Sequence, residues 1–184
     1  LFYFAWASSE KCGASTSAVI IKGDHWKALE NGAVFTHRWQ DLATALPPTP
    51  ASTPPNLTAV PLRSRSLRVL ISDLLYPASP EPVIRSLQRA SGRAIILSPY
   101  SGAESDPGWK GNYEFIDTES GARHDRRIDD SLLRRYLDAY RDHFGRWKAA
   151  SLRAQAPLAR IPSEKSFEAS LKLEAIPAGA LQLG

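Results

Sequence analysis

The chain has little of several residue types, and each shortage excludes a class of protein. Its 184 residues include no methionine and a single cysteine, Cys12. One cysteine cannot form a disulfide within the chain, which fits a reducing compartment. No apolar run approaches the roughly 20 residues that a helix needs to cross a membrane. These absences predict a cytoplasmic protein with no transmembrane segment in this chain.

The sequence also lacks the usual motifs of catalysis and nucleotide binding. It contains no glycine-rich phosphate loop and no Gly-x-Ser-x-Gly nucleophile motif. Cys12 lies in an apolar helical segment, which favours a buried, inert thiol over a nucleophile. The histidines are scattered without the spacing of metal ligands: His25, His37, His124 and His143. We therefore expect a non-catalytic chain with no cofactor of its own.

What is present fits one folded domain with a modest basic surplus. The hydrophobic fraction of 43% makes disorder unexpected, and the formal net charge of +4 permits nucleic-acid binding without requiring it. Asp138 and Asp142 interrupt the one concentration of arginines, which favours a solvated helix face over a nucleic-acid stripe. A nucleic-acid-associated basic domain stays an alternative function. The arginines concerned are Arg123, Arg126, Arg127, Arg134, Arg135, Arg141, Arg146 and Arg153.

The stretch Leu67–Leu75 gives the clearest signal of the fold. Its large aliphatic residues end abruptly in Ser72-Asp73, as in a strand that is buried on both faces of a parallel sheet. A helical pattern follows over Ser79–Gly92, and a second apolar run follows at Ala94–Leu97. This order of strand, helix and strand predicts an α/β fold, a Rossmann-like three-layer sandwich with a mostly parallel sheet.

Other patterns place the remaining elements around this unit. We expect the parallel sheet to contain Ser17–Ile21, Arg68–Ser72 and Ala94–Ser98, with helices on both faces. Four further helices are expected. The first lies before Gly13 and is buried nearly all round, and the second covers about Thr36 to Leu46. The longest covers about Ser131 to Ala156, with Leu137 and Phe144 facing the core, and the last is capped by Ser163. After a turn at Lys22-Gly23-Asp24, His25–Leu29 is expected to pair back as an edge strand that ends at Asn31-Gly32. The proline-rich Pro47–Pro55 is expected to be an exposed connector. A second hairpin is expected to turn at Glu119-Ser120-Gly121 between Tyr113–Asp117 and Ala122–Arg126.

The order of these segments resembles a known family. Val69–Leu75 is similar to the strand-to-loop segment that carries the Thr-Asp-Gly signature of von Willebrand factor A domains. From about Arg68 to the end, the chain resembles the bacterial "domain of unknown function fifty-eight" family, whose members contain such a domain and are typically encoded beside MoxR-type AAA+ ATPases. The likeness rests on Pro82–Ser91, Ala94–Leu97, Gly108 and Trp109, Phe115–Gly121, Leu132–Tyr136 and the helix opened by Ser163.

The resemblance implies a single von Willebrand A-like domain over residues 1–184. It implies a protein-interaction module that acts with a protein partner, a MoxR-type AAA+ ATPase, in the assembly or maturation of other complexes. The chain departs from the family at the metal site, because the Asp-x-Ser-x-Ser motif that follows the first, central strand is absent. With no methionine and Leu1 as first residue, we expect an N-terminally truncated fragment that lacks this strand.

Two consequences follow from this departure. Mg²⁺ is expected only if an upstream segment carries the missing motif, because Asp73 alone offers too few oxygen ligands. An enzyme whose catalytic residues lie in the missing region is a further alternative function. The sequence upstream of Leu1 would discriminate this alternative from an interaction module.

The predicted site lies beyond the carboxyl ends of the parallel strands, where open α/β sheets bind their ligands. It combines residues from three strand ends: Ser72, Asp73 and Leu74, then Ser98 and Ser101, and Asp24 after the first strand. Two roles stay open for Asp73. It is either a remnant ligand that contacts a partner or a carboxylate that caps its own loop.

Overall fold

The computed structural model describes residues 1–30, 33, 35–36, 38–47, 49, 53–117 and 121–181. The predicted turns at Asn31-Gly32 and Glu119-Ser120, His37, and part of the connector Pro47–Pro55 lie outside these residues. The strands are β1 (Ala18–Lys22), β2 (His25–Leu29), β3 (Leu67–Ile71), β4 (Arg93–Tyr100), β5 (Gly111–Ile116), β6 (Arg123–Ile128) and β7 (Leu158–Pro162). The helices are α1 (Phe2–Lys11), α2 (Arg38–Ala45), α3 (Pro80–Gln88), α4 (Gly102–Ser105), α5 (Asp130–Arg153) and α6 (Phe167–Ser170).

Three strands form a parallel sheet in the order β3-β4-β7. Ile71 is paired with Leu97, and Leu97 is paired with Ala159. Helix α3 connects β3 to β4 and begins at Pro80, which suits the first turn because its missing N–H has no helical partner to lose. The predicted strand, helix and strand are therefore confirmed, and so is the α/β class with a mostly parallel sheet.

Alternate residues of the sheet face two separate cores. On one face, Ile96 lies in a buried cluster with Trp147 of α5 and residues of α3. On the other face, Leu97 lies in a cluster with Leu171, and Phe4 of α1 packs against it. The alternation follows from the two-residue period of a strand. Helices therefore cover both faces of the sheet, as predicted.

The prediction that Ser17–Ile21 belongs to this sheet is wrong. β1 pairs with β2 alone, in a separate antiparallel sheet. The chain reverses at Gly23, whose φ of +55° suits a tight turn and gives β1 an immediate partner. Both predicted hairpins are confirmed, since β2 pairs back on β1 and β6 pairs back on β5, each antiparallel.

A buried arginine joins the amino end of the sheet to the end of α3. Arg68 is 5% exposed, and its Nη1 donates to the carbonyls of Leu87 at 2.6 Å and Arg89 at 2.7 Å. Its Nη2 donates to the carbonyl of Arg63 at 2.7 Å. The guanidinium also fills the space beside Gly92, where an added Cβ would lie 2.5 Å from Arg68 Cζ. Gly92 therefore leaves room for the arginine.

The longest helix, α5, has nearly its predicted bounds. The side chain of Asp129 caps it by accepting a backbone N–H of the first turn at 2.8 Å. The residues expected in the core, Leu137 and Phe144, are only partly buried, and Trp147 is the large side chain of this helix with no exposed surface. Among the described residues, no helix combines the length and apolar character needed to cross a membrane.

Three predictions about the ends of the chain are wrong. Helix α1 buries only Trp6, because one side of it covers the sheet and the rest is partly or fully exposed. Cys12 is exposed rather than buried. The last helix is capped by Ser166 instead of Ser163, because the N–H of Ser163 still donates to Tyr100 O at 2.9 Å beside the sheet.

Candidate interaction site

The carboxyl ends of β3, β4 and β7 meet at one edge because the strands run parallel. Beyond β3, the N–H of Ser72 donates to Leu97 O at 3.2 Å. Beyond β7, the N–H of Ser163 donates to Tyr100 O at 2.9 Å. The segments that follow the three strands are thus neighbours. This edge holds all the predicted site residues except the one from the β1–β2 turn.

The loop after β3 has an unusual backbone that its own side chains hold in place. Leu74 is fully buried and has a φ of +62°, in the left-handed region that costs a residue with a Cβ about 1–2 kcal/mol. The N–H of Leu74 donates to Ser72 Oγ at 3.1 Å, and the N–H of Leu75 donates to Asp73 Oδ1 at 3.1 Å. Asp73 therefore caps its own loop, while Asp73 and Leu75 stay exposed.

Two side chains support this loop from inside. Ser98 has no exposed surface, and its hydroxyl donates to Asp73 O at 3.3 Å. His143 of α5 donates from Nε2 to Leu74 O at 2.7 Å, because a carbonyl oxygen can only accept. Ser98 and Leu74 thus position the loop and offer no surface to a partner. His143 was missed as a site residue, although it precedes Trp147 by four positions on the inward side of the helix.

The second part of the edge lies between β4 and β7. The N–H of Gly102 donates to Glu164 Oε1 at 2.5 Å, and this bond holds the pKa of the Glu164 carboxyl below its usual range. The N–H of Ser101 faces Glu104 Oε2 at 3.5 Å. Glu164 was not predicted, although it follows β7 by two residues. We call Asp73, Leu75, Ser101 and Glu164 the carboxyl-edge surface.

Asp24 lies in a different environment from the other predicted site residues. Its placement assumed that β1 belongs to the parallel sheet, and that assumption is wrong. Asp24 Oδ1 accepts from Asn56 Nδ2 at 3.0 Å, and the N–H of Asn56 donates to Gly23 O at 2.8 Å. These two bonds tie the tip of the β1–β2 hairpin to the segment that precedes β3.

An arginine surrounded by aromatic rings lies behind the edge. The guanidinium carbon of Arg160 in β7 is 3.3 Å from the ring centroid of Phe144 and 4.4 Å from that of Tyr100. Its Nη2 donates to Tyr140 Oη at 2.5 Å. Burial raises the pKa of Tyr100. Phe144, which the sequence predicts in the core, thus holds a cation together with Tyr140, and the two rings join β7 to α5.

The arginines of β6 and α5 are exposed, and carboxylates accompany several of them. Exposed ion pairs of this kind contribute little to stability, but they reduce the local positive charge. In the part of the chain that the structure describes, no three His, Cys, Asp or Glu side chains converge as a metal-ligand set. The exposed ion pairs of these arginines are Arg123–Glu114 at 3.1 Å, Arg141–Asp138 at 3.5 Å and Arg153–Glu81 at 2.9 Å.

Comparisons with known proteins give no relative for this chain. No protein-family model matches it, and neither a curated protein nor a solved structure matches it significantly. The candidate site therefore rests on the geometry of the carboxyl-edge surface.

Proposed function

We propose that this chain is a non-catalytic protein-interaction module that binds a protein partner through the carboxyl-edge surface. The observation that carries this proposal is the left-handed backbone of Leu74, which Ser72, Asp73 and His143 brace through the hydrogen bonds around it. Strained conformations persist only where the surroundings fix them, and they cluster at functional sites. This one lies at the edge where open α/β sheets bind ligands.

The chemistry of the surface indicates the kind of partner. Leu75 is 47% exposed, and the carboxylates of Asp73 and Glu164 are exposed at the same edge. An exposed aliphatic side chain on the same edge as two carboxylates complements a partner surface that presents an apolar pocket and basic side chains. The partner expected from this chemistry is a basic protein surface.

The resemblance to von Willebrand A-like domains of the "domain of unknown function fifty-eight" family supports the same proposal. A parallel sheet with helices on both faces is compatible with that layout. The partner implied is a MoxR-type AAA+ ATPase, and the role is the assembly or maturation of other complexes in the cytoplasm. The described residues do not fit the family's magnesium site, because Asp73 is the one carboxylate at the end of β3 and its Oδ1 already accepts from Leu75.

Two substitutions of one residue separate binding from loop capping. Asp73→Asn keeps the oxygen that accepts from Leu75 but removes the charge, whereas Asp73→Ala removes both. We expect Asp73→Asn to stay within about 0.5 kcal/mol of the parent stability while binding the ATPase about tenfold more weakly. Asp73→Ala should also lose about 0.5–2 kcal/mol of stability, as a lost cap does. Calorimetry with the MoxR-type ATPase of the same genome and denaturant melts measure the two effects.

Asp125→Asn is the matched control, because Asp125 is an exposed carboxylate on β6, in the separate antiparallel sheet, and is not part of the carboxyl-edge surface. It should change neither binding nor stability. Normal binding by Asp73→Asn, together with a loss of stability in Asp73→Ala, would make Asp73 a loop cap alone. That outcome would remove the carboxylate from the proposed interface.

A further inference from the structure

We propose that two copies of this chain pair through the outer edge of β3. The two strands run antiparallel, with Val69 on a two-fold axis, and the two parallel sheets join into one six-stranded sheet. This contact uses the side of β3 rather than its carboxyl end. It therefore goes beyond the proposed partner binding. The two surfaces share Asp73 alone, and the variants that test the dimer leave Asp73 unchanged.

The first observation is the unpaired backbone edge. β3 is the terminal strand of its sheet and pairs only with β4 among the described strands. The N–H of Ser72 donates to β4 and the carbonyl of Ser66 accepts from it, so the even-numbered residues direct their backbone groups inward. Backbone groups alternate sides along a strand. The residues that direct their N–H and C=O groups outward are therefore Leu67, Val69 and Ile71.

The second observation is that large aliphatic side chains accompany this edge. Leu67 is 57% exposed and Val69 is 39% exposed. Parallel sheets are normally covered, and an unprotected edge is a template for another strand. Natural edges carry protective lysine, proline or a bulge, and the five residues of β3 have none of these; their one charged residue, Arg68, is buried. The residues of this edge therefore favour pairing with another strand over exposure to solvent.

The third observation is that β3 is complementary to itself. With Val69 on the axis, Leu67 lies opposite Ile71 of the second copy, and outward groups meet outward groups. Moving the axis by one position, to Arg68 or Leu70, would place Ile71 opposite Arg65 or Leu67 opposite Asp73. An axis two positions away would place Val69 itself opposite Arg65 or Asp73, and an axis between two residues would pair outward residues with inward ones. In the proposed register, Arg65 and Asp73 flank the strand with opposite charges at opposing ends.

This contact predicts a weak dimer that closes on itself. A two-fold interface uses the same patch on both copies, so that pairing ends at two chains. One pair of short strands buries less than the interfaces of permanent dimers. The dimer should therefore depend on protein concentration, and it should dissociate on dilution.

Cysteine cross-linking tests the register directly. The background carries Cys12→Ser, because Cys12 is exposed and would react itself. In the proposed dimer, Val69→Cys places two cysteines directly opposite, with Cα atoms about 5.5 Å apart, within the range of a disulfide. Leu67→Cys is the matched control on the same strand, because its copies would lie about 14 Å apart. We expect Val69→Cys to form covalent dimers at least about tenfold faster than Leu67→Cys. A tenfold ratio corresponds to a free-energy difference of about 1.4 kcal/mol.

Sedimentation of the unmodified chain provides the second measurement. The mass should rise toward that of a dimer over about a hundredfold range of concentration. Val69→Lys should abolish the rise, because it opposes two like charges across the axis, with circular dichroism confirming the fold. Leu152→Lys changes a residue of α5 that is 72% exposed and should leave dimerisation intact.

Three results would overturn the proposal. The first is a monomer at every concentration, as expected if the edge is occupied by a strand upstream of Leu1 or by a segment of another protein. The second is equal cross-linking of the two cysteine variants, and the third is equal loss of the dimer in the two lysine variants. Faster cross-linking of Leu67→Cys would also overturn the register, since it would move the axis by two residues.

Discussion

β1 and β4 are both continuous apolar runs, but the molecule buries them to different degrees. β4 lies between two strands, and its Ile96 and Leu97 are 0% and 2% exposed. β1 has one strand partner, and all five of its residues are only partly buried. The two runs have similar hydropathy and differ in their neighbours. A strand is therefore buried by the strands and helices around it, which its own residues do not specify.

The connections explain how this difference arises. β1 turns at once into β2 through Gly23, which gives a hairpin that forms locally. β4 follows a helix, and a crossover of that kind places the next strand parallel in the same sheet. The short turn thus decides the partner of β1 before any distant strand can compete.

The largest expected difference between β4 and β1 is the stability lost when one isoleucine in each strand is truncated to alanine. We expect Ile96→Ala to lose about 2–5 kcal/mol of unfolding free energy, because it empties a fully enclosed position. Ile20→Ala in β1 should lose less than about 2 kcal/mol, because part of its surface is already in water. Chemical denaturation at equal protein concentration measures both. Equal losses would mean that β1 is buried as deeply as β4.

An intermediate effect concerns the hydrogen bonds of buried Arg68 at the amino end of the parallel sheet. Among the described residues, the β1–β2 hairpin has no buried arginine of this kind. Arg68→Met should lose about 1–3 kcal/mol, because it leaves three backbone carbonyls without their donor. Gly92→Ala should lose a similar amount by displacing the guanidinium. Because both act through one contact, Gly92→Ala should cost less than about 0.5 kcal/mol more in the Arg68→Met background. Additive losses in a double-mutant cycle would refute the shared mechanism.

The smallest effect concerns the attachment of the hairpin. Asn56→Asp keeps the oxygen that accepts from Thr58 but opposes a second carboxylate to Asp24. We expect a loss of about 0.5–1 kcal/mol that shrinks at high salt. Adding Asp24→Asn restores a donor and an acceptor in reversed positions, and it should recover the loss. A loss that is independent of salt, or no recovery in the double variant, would place these side chains apart.

The sequence allowed the strand, helix and strand around α3 to be predicted because every local signal agreed. An apolar run, a helix start at Ser79 and Pro80, and the break at Gly92 all occur within one short segment. The sheet membership of β1 depends on which distant strand lies beside it, and the pattern of its own residues is the same in either sheet. The exposure of Cys12 likewise depends on how α1 is placed rather than on its hydropathy.

The candidate site was predictable to the same extent. Ser72 and Asp73 follow directly from the abrupt end of an apolar run. His143 and Glu164 were not predictable from the sequence, because their backbone partners lie 69 and 62 positions away along the chain. The placement of α5 and β7 brings them to the edge. Ser98 was predicted at the edge, but its burial depends on the loop that covers it. Sequence patterns thus give the position of a strand end and leave its surroundings open.

The pairing of β4 with its two neighbours has a consequence for the order in which the chain folds. Leu70 pairs with Ile96, 26 positions later, whereas Ile96 pairs with Leu158, 62 positions later. Closing the longer loop costs about 0.8 kcal/mol more in chain entropy, and non-local contacts slow folding. The unit of β3, α3 and β4 should therefore assemble first, and β7 should join it late with the ring contacts of Arg160. The carboxyl-edge surface includes Glu164 from beyond β7, so it is complete only when that last strand has joined. We therefore expect the proposed partner binding to begin only at the end of folding.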